Sequence, residues 1–445
     1  MKNKKISVLG ICRSGVYAAI LLKNKGNEIY LSDISTKESE EFIKLLNAHK
    51  INYEYGCHNY EKLLESEIIV TSPGIPESSD ILKFLRKHNK YVISEIEAAY
   101  RFIDKPIIAI TGSNGKTTVT TLIGKILNDA GYIAPICGNI GFSLSRALLE
   151  IEKYDCIVLE VSSFQLDTID KFRPNVSVLT NITPNHLDRY ANFDEYKLSK
   201  KRIFKNQTAA DFAVINAADD NSMSICKYIK PQKVYFNVCE GSGLFYKDKW
   251  ICKRENNSIE KYIDVSRLKI FGEHNYENIM SAVLAVKSIF DIDDDSIISS
   301  VEKFEGVEHR IEFVAEINKV KYYNDSKATT VDALQKSLKA FDKPVILIAG
   351  GRDKNADFTV LRNLIKDKVK KLILTGEASE KMNQQINLEE LTILEKDFDA
   401  AVKLSKNLAN IGDIVLLSPA CASYDKFNNF EERGRYFKKL VLEKL

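Results

Sequence analysis

The stretch from Ile107 to Thr118, IIAITGSNGKTT, limits what this chain can fold into more than any other. An apolar β-branched run ends at Thr111, and a loop carries Gly112, Ser113, Asn114 and Gly115. Lys116, Thr117 and Thr118 then open a segment whose apolar residues recur at helical spacing. Strand, glycine loop and helix in that order predict a phosphate cradle. The glycines let the chain turn tightly, so that successive backbone N–H groups and the helix N-terminus converge on one anion. Lys116 adds a mobile positive charge and Thr117 a hydroxyl suited to Mg2+. The general P-loop pattern has its first glycine where this chain has Ile110, so the motif is the shorter T-G-x-x-G-K-[ST]. A bare glycine turn is the alternative, and the Lys-Thr pair that follows argues against it.

At roughly 150 residues per domain, 445 residues suggest three α/β domains. Residues 1–95 alternate strand and helix, with strands at ISVLG, EIYLSD, EIIVTS and YVIS, which predicts a Rossmann-like parallel sheet. Its first turn, Gly10 to Gly15, has Cys12 where a dinucleotide fingerprint needs its second glycine, which disfavours NAD. Asp33 and Ser72-Pro73-Gly74 end two of these strands. With Ser14 they line the carboxyl edge of the sheet, where ligand binding and plain loop chemistry stand level on spacing alone.

Residues 96–305 form a central P-loop unit. Glu160 closes the buried strand of YDCIVLE, beside the glycine loop, where an acid can hold a nucleotide's Mg2+. The apolar run VSVLTNITPNHLDRY leads out to His186 on the same edge, which favours a site role for this histidine; Asn181 and Asp188 can merely shape the loop. Lys200, in YKLSKKRIF, reads from sequence as one cation on a solvated helical face. The segment from KVYFNV to LFYKDKWICK predicts short hairpins with a Lys-Asp turn. His274 and Asn275 head an apolar helix, where an amide caps the helix or reads a base edge; spacing alone favours the cap.

From 306 a third, Rossmann-like α/β unit begins. RIEFVAEINKVKYYNDS predicts a hairpin, and VILIAGG, KKLILTG and DIVLLSPACAS are strands ending in glycine or serine. Arg310, Asp325, Lys327 and Lys354 gather at strand or loop ends, as substrate-binding groups tend to. Three units with ligand edges suggest a cleft enzyme whose domains close.

A net charge of +3 is small for this length, and no basic tract interleaves with aromatics, so charge makes no case for a nucleic-acid partner. The eight cysteines include no C-x-x-C pair and read as reduced thiols of a cytosolic protein. Arg13 and Ser14 interrupt the apolar stretch that follows the N-terminal lysines, and no run reaches the eighteen or so apolar residues of a membrane span. A cytoplasmic monomer acting on small molecules is expected.

Ten motifs carry a resemblance: TGSNGKTT (111–118), GNIG (138–141), LEVSSFQL (159–166), NITPNHLDRY (181–190), YKLSKKR (196–202), GEHNYEN (272–278), HR (309–310), YNDSKAT (323–329), GGRDKNADF (350–358) and SPACASYDKFNNFEERG (418–434). Together they resemble the ATP-dependent Mur ligase family of peptidoglycan synthesis, across all three units. NDSKAT and the last motif resemble the branch that adds D-glutamate. The D-N-P-R-type loop of the branch adding diaminopimelate or lysine does not occur.

The resemblance implies ATP-dependent addition of D-glutamate to UDP-N-acetylmuramoyl-L-alanine through an acyl phosphate. It implies that Gly112 to Thr118 hold the ATP phosphates, Asn275 the adenine, and Arg310 and Asp325 the nucleotide from the third unit. Glu160 with Thr117 would bind one Mg2+, and His186 with Lys200 a second. Lys200 matches a lysine that the family carbamylates, and Lys116, His186 and Lys200 would form the catalytic set. The UDP-sugar would lie on Ser14, Asp33, Ser72, Pro73, Gly74, Asn139 and His186, and D-glutamate on Lys327, Thr329, Lys354, Ser423 and Phe430. Readings from other classes are a folylpolyglutamate synthase-like ligase, a nicotinamide-dependent dehydrogenase and a P-loop switch that ligates nothing.

Overall fold

Apolar β-branched runs cut every few residues by glycine or serine make strands buried on both faces and joined through helices, the signature of parallel sheets. A computed structural model describes residues 1–184, 189–255, 258–353 and 356–443, and it holds one all-parallel sheet and two whose parallel core carries antiparallel strands at one edge. The first contains β1 (Lys5–Leu9), β2 (Glu28–Asp33), β3 (Asn52–Tyr55), β4 (Ile68–Thr71) and β5 (Tyr91–Ser94), all parallel in the order β3-β2-β1-β4-β5. Alternation along β1 sends Ile6 and Val8 into the core on one face and Leu9 into that on the other. The chain reverses direction across the sheet between β1 and β4. The loops after these two strands, Gly10–Ser14 and Ser72–Gly74, therefore flank the crevice where such sheets take ligands.

The central sheet is built from β6 (Ile107–Thr111), β7 (Ile136–Gly138), β8 (Ile157–Glu160), β9 (Val176–Leu179), β10 (Phe212–Asn216), β11 (Gln232–Phe236), β12 (Gly243–Lys247), β13 (Trp250–Glu255) and β14 (Ser258–Asp264). Its order is β14-β13-β12-β11-β10-β9-β6-β8-β7. The strand feeding the glycine loop thus lies between β8 and β9, and the loop opens at a switch point. KVYFNV departs from the hairpin expected of it: as β11 it pairs parallel to β10, and only β12 to β14 run antiparallel. The β12–β13 turn is the Lys-Asp turn, with Asp248 and Lys249 both at positive φ, as a tight two-residue hairpin requires.

The third sheet contains β15 (Glu312–Ile317), β16 (Val320–Asn324), β17 (Val345–Gly350), β18 (Val369–Thr375), β19 (Thr392–Leu394) and β20 (Ile414–Leu417), in the order β15-β16-β20-β17-β18-β19. The expected hairpin is β15–β16, turning on Asn318 and Lys319 at positive φ. Val345, Leu347 and Ala349 face one core while Ile346 and Ile348 face the other. Strands β3, β7, β10, β14 and β19 add to those expected from sequence. β3 and β19 are edge strands with no fully buried residue, and β7 has only three residues.

The chain gathers into two compact units, residues 1–268 with 274–304 and residues 269–273 with 305–445. The first two sheets belong to the first unit and the third sheet to the second. Among the described residues no helix is long and apolar enough to cross a membrane.

Candidate active site

Gly112 and Gly115 decide the shape of the phosphate loop. Both have positive φ, 146° and 83°, and a Cβ on Gly112 would lie 1.9 Å from the Thr180 hydroxyl oxygen, while one on Gly115 would lie 2.3 Å from Asn278 Oδ1. Only glycine fits either position. Gly115 is the N-cap of the helix Lys116–Asp129 and offers no side chain to its first amides, the arrangement that leaves a helix N-terminus open to an anion.

The loop is held from outside. Ser113 N donates to the Asn181 carbonyl at 2.9 Å, Asn114 N to Asn181 Oδ1 at 3.0 Å, and the Thr180 hydroxyl to the Asn114 carbonyl at 2.6 Å. The Ser113 hydroxyl donates to the Thr183 carbonyl at 2.9 Å and lies 3.1 Å from the Tyr196 hydroxyl. Asn181, which from sequence had only loop shaping to do, clamps the cradle. Thr117 and Thr118 lie on the first helical turn, both buried.

Lys116 Nζ donates to the carbonyls of Gly112, at 2.7 Å, and Ser113, at 3.1 Å. Lys200 Nζ donates at 2.9 Å to that same Gly112 carbonyl. The structure overturns the solvated reading of Lys200, which is only 1% exposed. Asn192 caps its helix, Phe193–Lys201, with Asp194 and Glu195 in the first turn, and the face carrying Tyr196, Ser199 and Lys200 packs inward. Lys200 Nζ stands 4.6 Å from the Tyr196 ring centroid. Burial first, and then the neighbouring charge of Lys116, push the Lys200 pKa well below the ordinary lysine value, against the pull of Asp167 and Glu160.

Glu160 ends β8 opposite Ile110 of β6 and is 1% exposed. Asn139 Nδ2 donates to its Oε1 at 2.8 Å, and its buried Oε2 has no hydrogen-bond partner among the described residues. A buried carboxylate oxygen without a donor is costly unless a cation meets it, so Glu160, at the end of the strand paired with the one that feeds the glycine loop, fits a divalent ion at a phosphate site. His186 lies outside the described residues. Asn275 is on the first turn of the helix Glu273–Lys287, where Asn278 Nδ2 donates to its Oδ1 at 3.2 Å. Asn278, one turn after Asn275 in GEHNYEN, thus joins Asn275 to the rim of the glycine loop, a role that sequence reasoning passed over.

At the edge of the first sheet, Asp33 accepts the Ile11 amide at 2.7 Å and the Ser35 amide at 2.8 Å, so its carboxylate shapes the loop after β1. Cys12 Sγ lies 3.3 Å from both the Ser14 and Ser72 hydroxyl oxygens, tying the two loops together. Arg189 donates to the Pro73 carbonyl at 3.3 Å and the Gly74 carbonyl at 3.0 Å.

In the second unit Asp325, Lys327 and Thr329 follow the carboxyl end of β16, and Ser423 and Phe430 follow that of β20. Asp325 is buried and accepts from the Ser418 hydroxyl at 2.7 Å, from the Ser337 hydroxyl and from the Ile311 amide at 3.2 Å. Burial pushes its pKa up to about 6, against those hydrogen bonds and the charge of Arg310. Its carboxylate thus braces the segment carrying Arg310. Lys327 Nζ lies 5.7 Å from the ring centroid of Phe430, the first residue of the helix that Asn429 caps. Thr329 N bonds the Lys327 carbonyl at 2.8 Å, and Ser423 is buried in the loop after β20.

Arg433, missed from sequence although it stands in FEERG, joins these loops. Its guanidinium donates to the carbonyls of Ser326, Cys421 and Ala422 and to the Ser326 hydroxyl, at 2.9 to 3.1 Å. Lys354 lies outside the described residues; the loop before it is fixed by the reciprocal Arg352–Ala422 backbone pair.

Three family models match the chain: the MurD N-terminal domain over residues 5–81, the Mur ligase middle domain over 110–286, and the Mur ligase, glutamate ligase domain over 309–421. The UDP-N-acetylmuramoylalanine–D-glutamate ligase of Geotalea uraniireducens is 42% identical over 443 residues, covering 99% of this chain and 97% of that protein. The enzyme of the same name from Thermoanaerobacter pseudethanolicus is 41% identical, covering 100% and 99%. Among solved structures, the UDP-N-acetylmuramate-alanine ligase MurC of Thermotoga maritima aligns at a TM-score of 0.62 and 17% identity, over 99% of both chains. MurF of Acinetobacter baumannii aligns at 0.62 and 16%, over 93% of this chain and 91% of that one. At such identities the two structures speak for the fold alone.

Proposed function

The chain belongs to the Mur ligase family, and from that premise we propose that it joins D-glutamate to UDP-N-acetylmuramoyl-L-alanine at the expense of ATP, releasing ADP and phosphate in peptidoglycan synthesis. The observation that carries the reading is the grouping of a left-handed glycine loop, Lys116 and the unpartnered Glu160 oxygen at one sheet edge. The full-length likeness to D-glutamate ligases directs that chemistry to an amide bond.

The first difficulty is electrostatic. A substrate carboxylate attacks the γ-phosphate, anion against anion, and two unit charges about 4 Å apart repel by ~4 kcal/mol at an effective dielectric near 20. Lys116, poised on flexible methylenes over the loop carbonyls, can turn to the phosphate, and the loop amides stabilise charge on the leaving group. Glu160 with Thr117 would hold one Mg2+ and His186 with Lys200 a second, and the ions would supply further neutralisation. Attack yields an acyl phosphate and ADP. The free amine of D-glutamate then adds to the acyl carbon, loses a proton, and expels phosphate to leave the amide.

For Lys200 the reading is a carbamate. Carbon dioxide adds to a neutral amine with loss of one proton, and a buried lysine beside Lys116 is the kind of amine held neutral. The product is an anion able to hold metal. Asn275 would take the adenine, with Arg310 and Asp325 completing the nucleotide site; Ser14, Asp33, Ser72 to Gly74, Asn139 and His186 would take the UDP-sugar. Lys327, Thr329, Lys354, Ser423 and Phe430 would take D-glutamate, the two lysines matching its two carboxylates. Division into a UDP-sugar domain (1–95), an ATP domain (96–305) and an amino-acid domain (306–445), and a monomer working in the cytoplasm, belong to the same reading.

The test is a ligation assay that offers the UDP-sugar with a panel of D- and L-amino acids, following ADP release and product mass. ADP formation that requires both the UDP-sugar and D-glutamate, with a product heavier by one glutamyl residue, is expected. ADP release without amide product would overturn the reading.

A further inference from the structure

Arg189 makes a set of contacts that the ligation chemistry leaves unexplained. Its guanidinium lies 4.1 Å from the centroid of the Phe164 ring, which itself stacks on Tyr190 with centroids 5.9 Å apart and planes 15° apart. From that seat it reaches out of the central sheet's loops to the first sheet, donating to the Pro73 and Gly74 carbonyls. Both sheets belong to one compact unit. The segment it grips is a turn closed by Ile75 N on the Ser72 carbonyl at 3.1 Å. A cavity of about 550 Å³ borders the contact, lined in part by Ser72, Pro73, Phe164, Gln165 and Arg189.

We propose that Arg189 is a positioning residue for the sugar nucleotide, setting the peptide planes of the Ser72–Gly74 turn; this rests on the reading that the turn binds that substrate. No peptide bond among the described residues is cis, and in a trans peptide the C=O and the next N–H point to opposite sides. With the Pro73 carbonyl drawn to Arg189, the Gly74 N–H faces away from it. The negative ends of two peptide dipoles are thereby covered by a cation, and a positive end is turned to the other side of the turn, where an anionic diphosphate gains from it. The planar fork of Arg189 and its seat on Phe164 suit a task that one mobile ammonium performs less well.

The test measures binding of UDP-N-acetylmuramoyl-L-alanine to the full chain by calorimetry without ATP, and of an ATP analogue separately. Arg189→Ala is expected to weaken the sugar nucleotide about tenfold or more, to change the ATP analogue less than about twofold, and to regain part of the affinity with millimolar methylguanidinium. Arg189→Lys, which keeps the charge and the stem and so preserves the fold, is expected to fall between the two. Sugar-nucleotide binding by Arg189→Lys equal to that of the unaltered protein, or equal losses for both ligands in Arg189→Ala, would overturn the proposal. An unaltered protein that binds no UDP-sugar at all would instead strike the functional reading beneath it.

Discussion

Two lysines donate to the Gly112 carbonyl, and burial sets one of them apart. Lys116 lies at the head of a helix facing the phosphate cradle, whereas Lys200 is enclosed by its own helix and Tyr196. Lys200→Ala is therefore expected to lose ligase activity, and a small carboxylate such as formate added to that variant to restore part of it by standing in for the carbamate. Undiminished activity in Lys200→Ala would sink the assignment. Asp325 offers a second test, by pH. Its folded pKa of about 6 exceeds the unfolded value near 3.9, so the folded state holds the extra proton between those values. The group's stabilising contribution is complete below about pH 4 and disappears as pH rises through about 6, a change of up to about 3 kcal/mol. Asp325→Asn removes the titration and leaves a constant offset for the lost acceptor. Urea denaturation at pH 4.5 and pH 7.5 should show the variant gaining on the parent at the higher pH; a difference independent of pH would count against the burial argument.

Elements show why some of this was legible from residue order. The glycine loop was, because its conformation is set locally: a left-handed Gly115 against Asn278 tolerates no Cβ. Gly115→Ala should forfeit about 1–2 kcal/mol from backbone strain alone and abolish ATP turnover. Gly131→Ala is a matched control, since Gly131 also has positive φ, 90°, but nothing within 4 Å of the added carbon; it should lower the thermal midpoint and keep its activity. Equal kinetic losses in both would mean that the cradle has no special demand for glycine. Parallel strands were legible for the same local reason, as apolar runs ending in glycine or serine. β11 was misread because its partner β10 precedes it across a helix, and local alternation does not distinguish a hairpin strand from a parallel one. The burial of Lys200 was not legible, because its helix carries Lys197, Lys200 and Lys201 within five residues and only packing decides which faces inward. Arg189 and Arg433 escaped likewise, since each acts on backbone distant in sequence, and so did the approach of Asn278 to Gly115, so spacing carries no trace of them.

At the scale of the whole molecule, the order of the chain and the division into compact units do not coincide. The second unit takes five residues, 269–273, then lets residues 274–304 return to the first unit before claiming the rest from 305. The five-residue strap brings an anchor: the Phe271 ring meets Tyr323 edge-on at 5.9 Å between centroids and Phe341 at 5.5 Å, and those two rings meet each other at 5.1 Å. All three belong to, or pack against, one apolar core of the third sheet. Residues 305–445 carry six strands and cores on both faces of their sheet, enough to fold alone, but without the strap they lose one face of this aromatic cluster. A fragment of residues 305–445 should therefore unfold cooperatively in urea, while residues 269–273 fused to it through a flexible linker should add about 1–3 kcal/mol, the scale of a partly buried phenylalanine in an aromatic cluster. Phe271→Ala in the fusion should erase that gain. If the fused strap confers no stability, or confers it equally without the ring, then the chain enters the second unit early for some reason other than the packing of Phe271, and the aromatic cluster does not bind the two stretches into one folding unit.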